Sequence, residues 1–539
     1  MKALKVLTAV GVLWCVCGER PVVEVRQGRL LGLLTTQHNL THLQFLGIPY
    51  ARPPVAALRF KDPEPAGPWE GDLDASRLPP PCDQFVVGGR EDCLYLNVYT
   101  PKDALVVDYP YPVMVYIHGG GYYMGSSLTN HGFQTMVAKD VIVVMLQYRL
   151  GVLGFLSTED SVAPGNQGLK DQTLALRWVK DNIAAFGGDP NQVTICGGSA
   201  GAASIHYQTL APSAAGLFSG AILQSGSALY SWARGRDFRR TANAIAERFN
   251  CPTQPSQDLI ACLQTIDQHL IDESYFMFVE WNLQPFYFAP RVDGEYIPDE
   301  PVTLLQEGRY HHVPIIMGSN RDEMALETVE MYAYPPVIQN LLSNFSSIGP
   351  VSLHLYWDEE PQATATTVYN HYLGGLNLDK EHADNLTRMF TEGLFLVRQD
   401  WTTQLIADQN PTYTYELHHR GQHGFSNKFL DAGLDLPQAA NYIAHGDNKQ
   451  YLVYPGYGRL EAPEDIAVGE FFTSMWTNFV KTRNPTPDDS LGFKWEMTGA
   501  VNMKHLKITP TPVMEADQRA TARAFWESLP LRINYLLHR

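Results

Sequence analysis

Two segments of this chain, "YPVMVYI" at 111–117 and "VIVVMLQY" at 141–148, are apolar at nearly every position. A strand with one solvated face alternates polar and apolar residues, so a continuous apolar run implies a strand covered on both faces, as in a parallel sheet flanked by helices. The segment "DQTLALRWVKDNIAAFGGD" at 171–189 supplies such a cover: its apolar residues recur at helical spacing and Gly187–Gly188 follow its end. Later runs repeat the theme. "NQVTI", "SGAILQSG", "VPIIMGSN" and "TYTYEL" read as further strands, and "AVGEFFTSMWTNFVKTRNP" as a late helix ended by proline. The stretch 330–400 reads as more helical and irregular, forming a cap or one side of a site. Right-handed crossovers then give a large, mostly parallel central sheet covered by helices on both faces. Length alone would allow three or four domains in 539 residues, yet no linker, repeat or low-complexity tract divides the chain. The expectation is one α/β domain over residues 19–539.

Residues 1–18, "MKALKVLTAVGVLWCVCG", combine Lys2 and Lys5 with a short apolar run and a small-residue end, the pattern of a cleaved signal peptide. No second long apolar stretch or hydrophobic tail follows, so the chain is expected to be secreted without a transmembrane anchor. Three Asn-x-Ser/Thr sequons, at Asn39, Asn344 and Asn385, agree with that route as glycosylation sites. A formal net charge of −17, without any concentrated basic patch, argues against nucleic acid as a partner. Of seven cysteines, Cys15 and Cys17 would leave with the leader. The sequential pairs Cys82/Cys93 and Cys251/Cys262 would each close a loop of about 11 residues, worth roughly 3 kcal/mol, although spacing alone leaves connectivity open. Cys196 then remains as a buried core thiol.

"TICGGSAGA" at 194–202 places Ser199 between glycines, after one apolar run and before a helix expected from about Ala202 to Leu210. G-x-S-x-G in this setting is a nucleophile elbow: a strained strand-to-helix turn that lifts a hydroxyl clear of its neighbours, above a positive helix end. The alternative is a tight turn whose serine does nothing. Against it stands "HGGG" at 118–121, where only glycine lets backbone N–H groups approach a substrate oxygen closely. No Gly-Lys-Ser/Thr follows, so this is not a phosphate cradle. An ester needs a stronger nucleophile than a bare hydroxyl, hence a histidine base and a carboxylate to orient it, in the order Ser, acid, His. Asp322 and Glu323 are the acids after a later strand, and His418, His419, His423 and His445 are the candidate bases. Spacing does not choose among them. The pairs at 311/312 and 418/419 lack a third ligand at sensible spacing, so no metal or organic cofactor is implied.

With "FLGIPYARPP", "EDCLYLNVYTP", "YIHGGGY", "YRLGVLGFLS", "NQGLKDQTLALRWVKDNIAAFGGDP", "GGSAGA" and "LQSGS" in this order, the chain resembles the type-B carboxylesterase/lipase family of the α/β-hydrolase fold over nearly all its length. That resemblance implies a serine carboxylic-ester hydrolase working through an acyl-enzyme, with Ser199 as nucleophile, Glu323 as orienting acid, His445 as base and a small-molecule carboxylic ester as substrate. It implies oxyanion-hole amides at Gly120, Gly121 and Ala200, disulfides Cys82–Cys93 and Cys251–Cys262, ion pairs Arg59–Glu91 and Arg149–Asp171, and Ser225 behind the acid. Trp232 and Phe286 would line the acyl side of the pocket. Departures narrow the activity. Glycine precedes Ser199, which weakens a juvenile hormone esterase assignment, and "CDQFVVGGREDC" lacks the tryptophan with which cholinesterases hold a quaternary ammonium. Met324 and Tyr442 stand where the family usually has glycine. The alternatives are a catalytically silent extracellular binding or adhesion protein, whose known examples usually lack a triad member, and a lipase acting on aggregated lipid.

Overall fold

A computed structural model describes residues 20–37, 40–127, 133–452 and 460–538. The expected leader, residues 1–18, and the sequon asparagine Asn39 lie outside the described residues.

Eleven strands form one sheet, numbered here in chain order: β1 Leu33–Gln37, β2 Leu40–Pro49, β3 Tyr95–Pro101, β4 Tyr111–Ile117, β5 Ile142–Leu146, β6 Gly188–Gly198, β7 Gly220–Gln224, β8 Ile315–Asn320, β9 Thr412–Leu417, β10 Lys504–Ile508 and β11 Val513–Ala516. Their spatial order is β11-β10-β9-β8-β7-β6-β4-β5-β3-β2-β1. From β10 to β5 every neighbouring pair is parallel. The edges are antiparallel: β1–β2, β2–β3 and β3–β5 on one side, β10–β11 on the other. The sequence reading did not separate these edges from the parallel centre. This is the α/β-hydrolase arrangement, and a small separate sheet of Val22–Val25, Gly28–Leu31 and Asp72–Asp74 accompanies it.

The continuous apolar runs are explained by where their side chains go. In β4, Val113, Val115 and Ile117 join one apolar cluster, while Met114 and Tyr116 join a second with Cys196, Ile222 and Ile316. Alternate residues of one strand face opposite sides of the sheet, and both sides are buried. Helices supply the covers: α1 Gln167–Asn182, which gives way to a short 3-10 turn ended by Gly187 at φ 83°; α2 Ala200–Leu210; α3 Ala325–Ala333; and α4 Pro463–Thr482. The stretch 330–400, read as more helical and irregular, holds a run of short helices from Pro335–Ser343 to Val397–Ile406, interrupted by a wide turn at Glu392–Leu396.

Four cross-links tie loops to this frame. Disulfides join Cys82 to Cys93 and Cys251 to Cys262, each across 11 residues. Arg149 makes a two-pronged pair with Asp171, Nε to Oδ2 at 2.8 Å and Nη2 to Oδ1 at 2.6 Å, with both groups buried. Arg59 pairs with Glu91 in the same way and also donates to the carbonyls of Leu263 and Ile266. Cys196 is free and buried, and burial pushes its thiol pKa up.

Candidate active site

The register of the parallel strands aligns their carboxyl ends, with Ile117 of β4 beside Gly197, Gly198 beside Gln224 of β7, and Gln224 beside Gly318 of β8. The loops leaving these ends carry the chemistry-bearing residues, as expected for an open α/β sheet.

Ser199 follows β6 directly and caps α2, at φ 59° and ψ −129°. Such a backbone is costly for a residue with a side chain, on the order of 1–3 kcal/mol, and must be held by its surroundings. Its amide donates to Gln224 O at 2.8 Å, and its carbonyl accepts from Ala203 N at 3.0 Å. The flanking glycines of the motif are steric necessities. A Cβ on Gly197 would lie 2.6 Å from Ile117 O, and one on Gly201 only 2.2 Å from the same oxygen. The helix therefore starts at Ala200, against the tip of β4, two residues earlier than its sequence suggested.

The 118–121 loop packs against this elbow. A Cβ on Gly119 would meet Gly198 O at 2.4 Å and the Ser199 Cβ at 3.0 Å. Gly120 and Gly121 have φ of 114° and 60°, conformations that favour glycine. Ala200 is buried at the start of α2. His118 is turned away from the reacting end: its Nδ1 lies 2.9 Å from Gly119 O and its ring stacks on Tyr148. Burial lowers its pKa to about 4, so it is neutral.

Glu323 follows β8 and is completely buried. Its Oε1 accepts from Ser225 Oγ at 2.5 Å and from Asn320 N at 2.7 Å, and its Oε2 is 2.6 Å from His445 Nδ1. The two loops are zipped together around this contact. His445 N donates to Glu323 O at 2.9 Å, Asn320 Nδ2 to Ala444 O at 2.7 Å, and Asp322 and Ile443 exchange bonds of 3.0 and 3.1 Å. Asp322 is thereby occupied with Arg321 and Ile443. The competing histidines are engaged elsewhere too: His418 with Glu416 and His419 with Asp465, each at 2.6 Å, while His423 lies beside Gln422. Glu323 and His445 are thus brought together; Ser199 Oγ makes no hydrogen bond among the described residues.

Phe286 lies beside the 118–121 loop, with its Cζ 3.4 Å from a Cβ placed on Gly121. Trp232 is buried against Phe395, whose ring centroid is 5.2 Å from that of His445. Phe395, in the wide turn at 392–396, and Asn320 were not singled out by the sequence; a lone aromatic in a helical stretch and an asparagine at a strand end carry no local signal. Asn344 is exposed and Asn385 half-buried. No group of three or more metal-ligating side chains occurs among the described residues.

A family model described as the carboxylesterase family matches residues 19–526. The chain belongs to the carboxylesterase family. Among the chain's relatives, Esterase FE4 of Myzus persicae is 33% identical over 532 residues, covering 94% of this chain and 93% of the relative. Juvenile hormone esterase of Tribolium castaneum is 33% identical over 525 residues, covering 92% and 88%. Neuroligin-2 of Homo sapiens is 30% identical over 591 residues, covering 94% and 67%. No helix among the described residues is long and apolar enough to cross a membrane.

Proposed function

We propose that the protein hydrolyses carboxylic esters through an acyl-enzyme formed on Ser199. The observation that carries this reading is the buried Glu323 held by Ser225 and Asn320 and bonded to His445 Nδ1 at 2.6 Å. A carboxylate at Nδ1 fixes the tautomer that leaves Nε2 as the proton acceptor. In the reaction, Ser199 Oγ attacks the ester carbonyl while His445 takes its proton, and Glu323 stabilises the imidazolium without accepting the proton. The hydroxyl-to-imidazole hydrogen bond tightens as the complex forms. The amides of Gly120, Gly121 and Ala200 stabilise the oxyanion, each worth roughly 3 kcal/mol of barrier. His445 then protonates the leaving alkoxide, and water repeats the sequence on the acyl-enzyme. The chemistry uses no cofactor. Trp232 and Phe286 flank the acyl side.

In this reading residues 19–539 act as one secreted domain after loss of the leader, with Asn39, Asn344 and Asn385 as glycosylation sites. Esterase-named relatives matched over more than nine-tenths of the chain support the class. The test incubates the secreted protein with a chromogenic short-chain ester and with an organophosphate, beside Ser199→Ala. Turnover and phosphorylation at Ser199, both lost in the variant, are expected. A wild-type protein that neither cleaves ester nor takes up phosphorus would instead be a catalytically silent binding module. Activity confined to emulsified lipid would mark a lipase.

A further inference from the structure

Gly198 immediately precedes Ser199, and the space a side chain would fill there is open: the nearest atoms to its ideal Cβ are Gln224 O at 3.7 Å and the Lys449 Cε at 4.0 Å. Lys449 reaches this place from the histidine loop. Its amide donates to Gly446 O at 3.0 Å, and its side chain folds back so that Cε, Cδ and Nζ lie 3.8–3.9 Å from a Cβ placed on Gly446. The lysine arm therefore lies between the residue before the nucleophile and the residue after the base.

Its ammonium has no internal counter-ion. Among the described residues Lys449 Nζ makes no hydrogen bond and no ion pair. The acids of the surrounding loops are committed: Glu323 to Ser225, Asn320 and His445, and Asp447 to the amides of Phe425 and Ala444. His118, whose ring feels the lysine charge, is neutral and offers it no counter-charge. Desolvation accordingly lowers the Lys449 pKa. A half-buried ammonium without a partner is costly unless something brings an anion to it. The chain as a whole has a net charge of −17, so this cation is a local feature set against a field that repels anions.

We propose that Lys449 is a specificity-determining residue of this site, its ammonium receiving an anionic group, a carboxylate or its equivalent, carried by the ester. This rests on the ester-hydrolase reading above. The Lys449 Cε is 4.0 Å from a Cβ placed on Gly198. With a Cα–Cβ bond of about 1.5 Å and adjacent Cα atoms about 3.8 Å apart, it lies within roughly 9 Å of the Ser199 Cα, and the ammonium is one bond further along. That separation suits an anion a few bonds from the ester carbon, as in half-esters of short dicarboxylic acids or esters of carboxylated alcohols.

The test compares kcat/KM for matched anionic and neutral esters in the full secreted chain. One arm carries the charge on the acyl side (nitrophenyl hydrogen glutarate against nitrophenyl valerate), the other on the alcohol side (carboxyphenyl butyrate against phenyl butyrate). Each enzyme is its own reference, because the anionic-to-neutral ratio is independent of the active fraction. In one arm the ratio is expected to fall at least tenfold in Lys449→Met, to be largely kept in Lys449→Arg, and to fall in Gly198→Asp, which supplies an internal carboxylate. The loss is expected chiefly in KM. A ratio that falls less than fivefold in Lys449→Met in both arms overturns the proposal. If wild type cleaves neutral esters under those conditions, the inference alone has failed. If wild type cleaves neither ester and Ser199 takes up no phosphorus, the hydrolase reading has failed with it.

Discussion

Glu327 lies on α3, one helical turn beyond Glu323, and is buried with a single side-chain hydrogen bond among the described residues, from Asn282 Nδ2 to its Oε1 at 2.6 Å. Burial, with a smaller contribution from Glu330, raises its pKa from the ordinary 4.5 to about 8. The sign follows from linkage. Between these two values the folded protein keeps a proton that the unfolded chain releases, so stability falls as pH rises, by up to about 1.4 kcal/mol per unit. Across the whole window the loss is on the order of 5 kcal/mol. Below it there is none. Glu327→Gln keeps the acceptor for Asn282 and removes the titration. Unfolding entropy of about 2.1 cal/mol/K per residue gives roughly 1 kcal/mol per degree for a chain of this length, so the variant should melt close to wild type at pH 4.5 and about 4 °C higher at pH 8.5. Scanning fluorimetry at a series of pH values reads this directly. Asp272, whose pKa burial raises to about 8, contributes the same slope to both proteins and cancels. A gap between the two melting curves that does not widen with pH would refute the reasoning.

The motif glycines separate by what a methyl group would meet. Gly201→Ala forces a Cβ to 2.2 Å from Ile117 O and should abolish secreted, folded protein, whereas Gly198→Ala meets nothing nearer than 3.7 Å and should be secreted at near wild-type yield, both read by quantitative blotting. Arg149→Met leaves Asp171 buried without its two-pronged partner and should cost about 3–5 kcal/mol, measured as a lowered urea midpoint.

The central sheet was legible because burial on both faces leaves a mark on every residue of a strand: the run at 111–117 could be nothing that alternates, and its odd and even side chains enter two different apolar clusters. The edge strands left no such mark. Leu33–Gln37 and Val513–Ala516 are short and partly exposed, and their antiparallel pairing is decided by long-range contacts rather than local pattern. At the site, Ser199 announced itself because its strain requires particular neighbours within two residues. The proposed acid and base did not, since Asp322 and Glu323 both bond the 443–445 loop and differ in which one meets the His445 imidazole, a fact of tertiary register. The family resemblance supplied that choice. Lys449 was passed over for the same reason: in "HGDNKQY" it reads as one more solvated charge.

Cys196 sits on the strand leading to the elbow, wholly enclosed and with its thiol pKa raised. In the secreted chain proposed above, from which Cys15 and Cys17 are lost, it is the one free thiol among the described residues, and a thiol-labelling dye can touch it only after the central sheet has parted. Nature has thereby left a single-site clock in the middle of the molecule: the pace of dye uptake reads how often the native core opens, with no probe added.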